Sequence, residues 1–562
     1  MALQTQPKLL HLPPEVLLHT LALTSPADCA RVATVNRVLN VLCSTWTLYR
    51  DLLLSLSDLP TSNPAPDYPY ELLCRRIVEA TSALEKMQRG HPPPSDLVPL
   101  LETLVHLATS RPDANVPSLN ESLLEKYFSP SSSQILALHP HFSSRQPRLR
   151  SHKTPDIALS ELVSRFHVLS TPSLDAVSSH NVRTAAREIV YERLNFTRSS
   201  CYGPLKSDGS RQIDYRKVEA LSVVMMANLD EAKSMGWGQE DVEDDTNIPS
   251  GWSSTRTGSA KGDDVDSRDW AGITSHEWRG TYSFLHYPVY HHYNSHRTSS
   301  YIPSLAEESE AVGDCMSLKL ELLPEGVEVS PPMEAFRRTG TILRPNEARG
   351  GTGDEIDSDD ESDDPNFDEN AALDEEDTSD SSDDDEDEDA GNTHYVTNRA
   401  GRSQPQQAET PPTSPPDEAE AVVPPGPASG ILSAPSKSTA NPFPNPPATT
   451  ASFPKLSFHG SSMPLQLRPL AFTGTFLNTQ SHFNIRDRSI RGTVEMNEAG
   501  EVIWNYIIRY GGQDHWAMTG VQVGGPKSKY GVLGTWTCAD RDAADDEGPN
   551  GPFWYWPNIP EI

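Results

Sequence analysis

The sequence predicts an α+β multidomain chain: a three-helix N-terminal unit, a helical middle, and a C-terminal antiparallel β-barrel or sandwich interrupted by a disordered insertion. Three observations predict it. Apolar residues recur at helical spacing as far as about residue 233, they alternate with polar residues after about residue 272, and residues 346–453 carry neither pattern. At 562 residues the chain has room for several domains.

The N-terminal unit occupies residues 8–55. Val32, Val35, Leu39 and Leu42 follow a helical period, and Pro13, Pro14 and Pro26 open turns, so three short helices are expected. Residues 56–233 continue in the same period. Leu73, Ile77, Ala80, Leu84 and Met87 form one stripe, Leu97, Leu101, Leu104 and Ala108 a second, and Leu159, Leu162, Phe166 and Leu169 a third. Helices are also expected over 184–194 and 214–232, with Asp214 as an N-cap. Residues 234–271, rich in Gly, Ser, Thr and Asp, read as a flexible linker.

The β domain is expected in two parts, 272–345 and 454–562. Trp278, Tyr282 and Phe284 alternate with Arg279, Thr281 and Ser283, and Met316, Leu318, Leu320 and Leu322 alternate with polar partners. Ile490, Val494 and Met496 precede the turn Asn497-Glu498-Ala499-Gly500, and Val502, Trp504, Tyr506, Ile508 and Tyr510 follow it, which predicts a hairpin. A second hairpin is predicted from Trp516 to Cys538, folded about Gly524-Gly525-Pro526. Between the two parts, 22 carboxylates and no Lys or Arg stand from Asp354 to Asp389, followed by a Pro-, Ser- and Thr-rich segment. Such sequence cannot bury enough apolar area to offset the entropy of ordering it.

Composition narrows the function classes. The net charge is -33, and no clustered Lys and Arg are present to displace counterions from phosphates, so nucleic-acid binding is not expected. Six scattered cysteines with no C-x-x-C pair argue against a zinc site and fit a reducing compartment, cytoplasmic or nuclear. No apolar run is long enough to span a membrane. His286, His291, His292 and His296 read as ordinary polar-face and loop residues, so neither a metal nor a cofactor is expected. The glycines of Gly520 to Ser528 read as a hairpin turn and not a phosphate loop, because Pro526 intrudes and a strand follows. No hydrolase elbow or cysteine nucleophile context is present, and no enzymatic activity is expected. Ser358, Ser381, Ser382, Thr410 and Ser414 sit in contexts that kinases accept.

One motif points to a function. Leu10-His11-Leu12-Pro13-Pro14-Glu15-Val16-Leu17 is followed by Leu21, Ser25-Pro26-Ala27-Asp28, Val32, Val35, Asn36-Arg37 and Leu48-Tyr49-Arg50-Asp51-Leu52. This order resembles the F-box, with Tyr49 in place of the usual tryptophan and Cys29 where leucine is commonest. The segment 191–219 and the C-terminal Gly511-Gly512, Trp516, Trp536 and Gly551-Pro552-Phe553-Trp554 also look like a group of fungal F-box proteins. The resemblance implies a substrate-recognition subunit of a Skp, cullin and F-box ubiquitin ligase. A Skp-type adaptor would dock on Leu12, Pro13, Glu15, Val16, Leu21, Val32, Val35 and Tyr49, and the protein would do no bond chemistry itself.

The β domain would hold the target protein, with Trp278, Tyr282, Trp504, Trp516 and Trp536 as candidate contacts. Two alternatives stand beside this reading. Trp278-Arg279-Gly280-Thr281-Tyr282 and Phe472-Thr473-Gly474-Thr475-Phe476 look like first strands of lipocalin-like and avidin-like ligand barrels. An F-box protein working outside the ligase is the other.

Overall fold

Proline and side-chain caps divide the N-terminal unit into short helices. The computed structural model describes residues 8–58, 68–110, 117–128, 157–170, 180–234, 248–256, 268–296, 303–325 except Asp314, 467–478, 488–539 and 548–559. The expected insertion and its serines and threonines lie outside the described residues. Four helices, not the expected three, follow a turn of 3-10 helix: α1 (Pro14–Ala22), α2 (Pro26–Ala33), α3 (Arg37–Cys43) and α4 (Trp46–Leu56). The extra break has a local cause. The Asn36 side chain accepts from the Val38 amide at 2.7 Å and starts α3, and the chain leaves helical geometry again at Ser44-Thr45. The Ser25 hydroxyl caps α2 in the same way, through the Asp28 amide at 3.1 Å.

The helical layer continues with α5 (Tyr70–Gln88), α6 (Val98–Thr109), α7 (Leu119–Tyr127), α8 (Ile157–Ser170), α9 (His180–Val190) and α10 (Tyr215–Ser234). The three predicted stripes fall on α5, α6 and α8, and their apolar residues are buried or half-buried. Asp214 accepts from the Arg216 amide at 3.2 Å at the start of α10. The expected linker needs correction. Trp252 is buried between Phe128 and Phe166, because an indole that large gains more from the core than from water, and its Nε1 donates to the Phe128 carbonyl. Asp269 is fully buried as well.

The β domain is a closed barrel and not a sandwich. Its strands are β1 (Trp278–Leu285), β2 (Glu310–Val312), β3 (Met316–Leu322), β4 (Leu470–Asn478), β5 (Arg488–Met496), β6 (Val502–Tyr510), β7 (Gln513–Gln522), β8 (Val532–Cys538) and β9 (Asn550–Pro557). Every pairing is antiparallel. Eight strands run in the order β1-β3-β4-β5-β6-β7-β8-β9, and β9 returns to pair with β1, Trp278 opposite Pro557 and Tyr282 opposite Phe553. β2 extends the sheet along the second half of β1. Closure leaves no unpaired barrel edge. The two predicted hairpins are β5–β6 and β7–β8. The expected polar-face and loop histidines lie on or beside a helix, α11 (Tyr287–Ser295), which Pro288 opens.

α10 joins the two layers. One side packs on α8 and α9, and the other lies on β8, β9, β1 and β2. Ser222 and Tyr530 share a hydrogen bond of 2.8 Å across that seam, and Thr519 Oγ1 donates to the Cys201 carbonyl at 3.0 Å. Gly203 is needed beside it, because a Cβ there would overlap the Thr519 side chain. The helical layer and the barrel therefore share a buried interface and are not beads on a string.

Candidate interaction surfaces

α1 separates its apolar residues onto two faces. Leu17 and Leu21 turn inward, and Leu21 is only 7% exposed. Val16 and, one turn earlier, Leu12 turn outward and are 46% and 41% exposed. Pro13 and Glu15 are exposed beside them, and Val35 is 76% exposed at the α2–α3 junction. Val32 and Tyr49 are half-buried against the unit's own core. Of the eight residues predicted to meet an adaptor, five are therefore at the surface, two are partly covered, and Leu21 belongs to the interior.

Sequence reasoning missed further exposed apolar residues of the same unit, Leu9 and Leu54 among them. Leu23, Val38, Val41 and Trp46 are also exposed. On α3 the signal was present: Val38 and Val41 stand three apart, and Leu39 and Leu42, three apart on the opposite side, are buried. Asp28 and Arg31 both lie on α2 of this unit and pair at 2.7 Å. The Ser25 hydroxyl, and then the Arg31 guanidinium, hold the Asp28 carboxyl below its usual range.

The barrel splits the five predicted aromatic contacts between its two ends. At one end Trp278 and Trp504 are buried with ring centroids 5.1 Å apart. A short segment closes that end. The Asp269 carboxylate accepts from the amides of Gly272, Ile273 and Thr274 at 2.7–2.8 Å, which fixes the loop. Trp278 Nε1 donates to the Ile273 carbonyl at 3.0 Å, Gln522 Nε2 to the Ala271 carbonyl at 3.0 Å, and Trp504 Nε1 to Gln522 Oε1 at 3.1 Å. The void remaining among Trp278, Phe472, Trp504, Tyr506 and Tyr555 is about 10 Å³, scarcely enough for one water.

At the other end Trp536 meets both Trp516, at 5.0 Å, and Tyr282, at 6.1 Å, each edge to face. Tyr282 and Trp516 are half-buried, so this mouth carries accessible aromatic surface. Phe284 stacks on Tyr282, and Tyr510 and Phe476 meet nearby. Arg488, cross-strand from Tyr510, stands over the Phe476 ring at 5.8 Å. Alternation already sets Phe476 and Tyr510 among the strand residues of one face, though not among the candidate contacts.

Trp554 and Trp556 point outward instead, into the helical layer. Trp554 Nε1 donates to the Tyr530 carbonyl at 2.8 Å. His292 and His296 lie one helical turn apart with rings 4.4 Å apart. Among the described residues no group of three or more His, Cys, Asp or Glu could hold a metal ion, and no helix is long and apolar enough to cross a membrane. Comparison with family models, with curated proteins and with solved structures returned no match.

Proposed function

We propose that this protein is the substrate-recognition subunit of a Skp, cullin and F-box type ubiquitin ligase. The observation that carries the reading is the solvent-facing apolar set on the N-terminal helices, Leu12, Val16, Val35, Val38 and Val41, standing above a well-packed core of Leu17, Leu21, Leu39 and Leu42. The unit folds without covering these side chains. Because each is already partly covered, taking its exposed part out of water would contribute about 1 kcal/mol. Several such residues clustered on one small unit mark an interaction surface. Leu12, Val16 and Val35 fall at positions of the F-box-like motif that the resemblance assigns to adaptor binding.

The rest of the chain suits that task. α4 packs on α5, and α10 carries the helical layer onto the barrel, so a target at the barrel would be held at a set distance from the adaptor. Transfer would then gain from proximity, since holding target and ubiquitin-charged enzyme together makes the step effectively unimolecular. Tyr282, Trp516 and Trp536 at the barrel mouth are the proposed target contacts, because aromatic side chains give large contact area at low entropic loss. Trp278 and Trp504 fill the barrel. That filling speaks against the lipocalin-like or avidin-like reading, which needs room inside.

Capture of a purified Skp-type adaptor by the full chain tests the reading. The wild-type protein should retain the adaptor and, through it, a cullin. Adaptor retention without cullin would favour action outside the ligase, and loss of neither on Val16→Glu would sink the proposed surface.

A further inference from the structure

A cleft of about 200 Å³ opens where the helical layer meets the closed end of the barrel, between α8, the start of α10, and the β5–β6 and β7–β8 turns. Arg165 lines it. Its guanidinium lies over the Tyr215 ring at 4.9 Å, and its Nε is buried with no hydrogen-bond partner among the described residues. The carboxylates that share this region have other partners. Glu161 pairs with Lys206 at 3.0 Å, and Glu501 accepts from the Tyr215 hydroxyl at 2.8 Å and from Asn497 Nδ2 at 3.0 Å. Arg165 itself makes no ion pair with any described residue. An arginine held flat against an aromatic ring presents its remaining N–H groups in one plane, the geometry that matches a planar oxyanion bidentately.

The surroundings narrow the ligand. Leu169, Ile213, Val521, Val523 and Pro526 make part of the wall apolar. Gly525 has φ +92 and nothing within 4 Å of where its Cβ would be, so the turn leaves the cleft open on that side. Glu501 stands at the hydroxyl edge of the same ring that Arg165 covers, and the chain as a whole is strongly acidic. Both disfavour a dianion more than a monoanion, since repulsion scales with ligand charge.

We infer that this cleft binds a small, partly apolar monocarboxylate, with Arg165 gripping the carboxylate and the valine and leucine side chains receiving the hydrocarbon. The inference does not depend on the adaptor reading, because the cleft lies away from α1 to α4.

Titration calorimetry of the full chain at low salt with 4-methylpentanoate, its amide and inorganic phosphate tests it. The acid should bind at least about tenfold more tightly than the amide, since only the acid offers a charged bidentate partner. Arg165→Gln should abolish that difference. Because this variant could also fail to fold, Glu501→Gln supplies a gain: it keeps an acceptor for Tyr215 and should tighten the acid about threefold or more by removing a like charge. Equal binding of acid and amide, an unchanged acid affinity in Glu501→Gln, no heat from either compound, or phosphate binding more tightly than the acid would each overturn the assignment.

Discussion

Arg187 on α9 donates through Nε to Glu310 Oε2 on β2 at 2.8 Å, with the glutamate side chain wholly buried. The Tyr191 hydroxyl donates to the other oxygen at 2.7 Å, and Arg183 approaches to 3.5 Å. Burial, and next the Glu310 charge, push the Tyr191 phenol well above its ordinary pKa, so it remains a donor. This carboxylate fastens the helical layer to the strand that extends β1. Removing one side of a buried pair leaves the other charge without compensation, so Glu310→Ala should destabilise the fold by about 3–5 kcal/mol. Adding Arg187→Met to it should recover a substantial part, because an apolar side chain of similar length leaves no stranded charge. Urea unfolding of the two single variants and the double variant gives the coupling directly; additive losses would show that the pair does not join the layers.

The two faces of α1 should respond differently to substitution. Leu12→Glu and Val16→Glu place charge where water already is, so each should change stability by less than about 0.5 kcal/mol while abolishing adaptor capture. Leu21→Ala removes a buried side chain and should cost about 2–5 kcal/mol. Thermal unfolding run beside the capture assay separates loss of surface from loss of fold. Adaptor capture that survives both glutamate variants would place any docking surface elsewhere.

Much of this architecture was legible because its signals are periodic and local. The stripes Leu73 to Met87 and Leu97 to Ala108 lie on helices, alternation located β1, β3 and β4 to β6, and the turn at Gly524-Gly525-Pro526 marked the β7–β8 hairpin. What escaped was whatever depends on distant pairing. β9 contains Pro552 and Pro557, which argue against a strand because proline cannot donate to a ladder, yet Pro552 stands opposite Thr535 of β8 and Pro557 opposite Trp278 of β1. Trp252 sits in a polar, glycine-bearing stretch that reads as linker, and only Phe128 and Phe166, brought from far along the chain, explain its burial. For the candidate contacts, alternation marked Trp278, Tyr282 and Trp504 as inward-facing, but it could not tell the plugged end from the open mouth. That distinction rests on Asp269 and the loop it holds.

The same distinction predicts unequal tryptophans. Trp504 packs against Trp278 and Phe472 and donates to Gln522, so Trp504→Ala should cost about 3–5 kcal/mol and weaken the whole barrel. Trp516 is half-buried at the mouth, and Trp516→Ala should cost distinctly less. Near-ultraviolet circular dichroism and urea midpoints for the two variants make the comparison. Equal losses would mean that the mouth is as tightly packed as the plugged end and offers no spare aromatic surface.

His106 gives the helical layer a dependence on acid. It lies on α6, only 5% exposed, and its Nδ1 is 3.3 Å from the Ser110 hydroxyl. Burial pushes its pKa down to about 4, from an ordinary value of 6.5. The folded protein therefore holds this ring neutral at a pH where the unfolded chain already takes up a proton. Stability contributed by the neutral ring is complete above about pH 6.5 and is lost progressively as the pH falls toward about 4. At about 1.4 kcal/mol for each unit of displacement, the loss is on the order of 3 kcal/mol by the bottom of that window. His106→Gln keeps a polar side chain near Ser110 and removes the titration, so its stability should fall less steeply across the same interval. Unfolding free energies of the two proteins from pH 7 to pH 4 decide the matter: parallel curves would mean that His106 takes up its proton in the folded state as readily as in water.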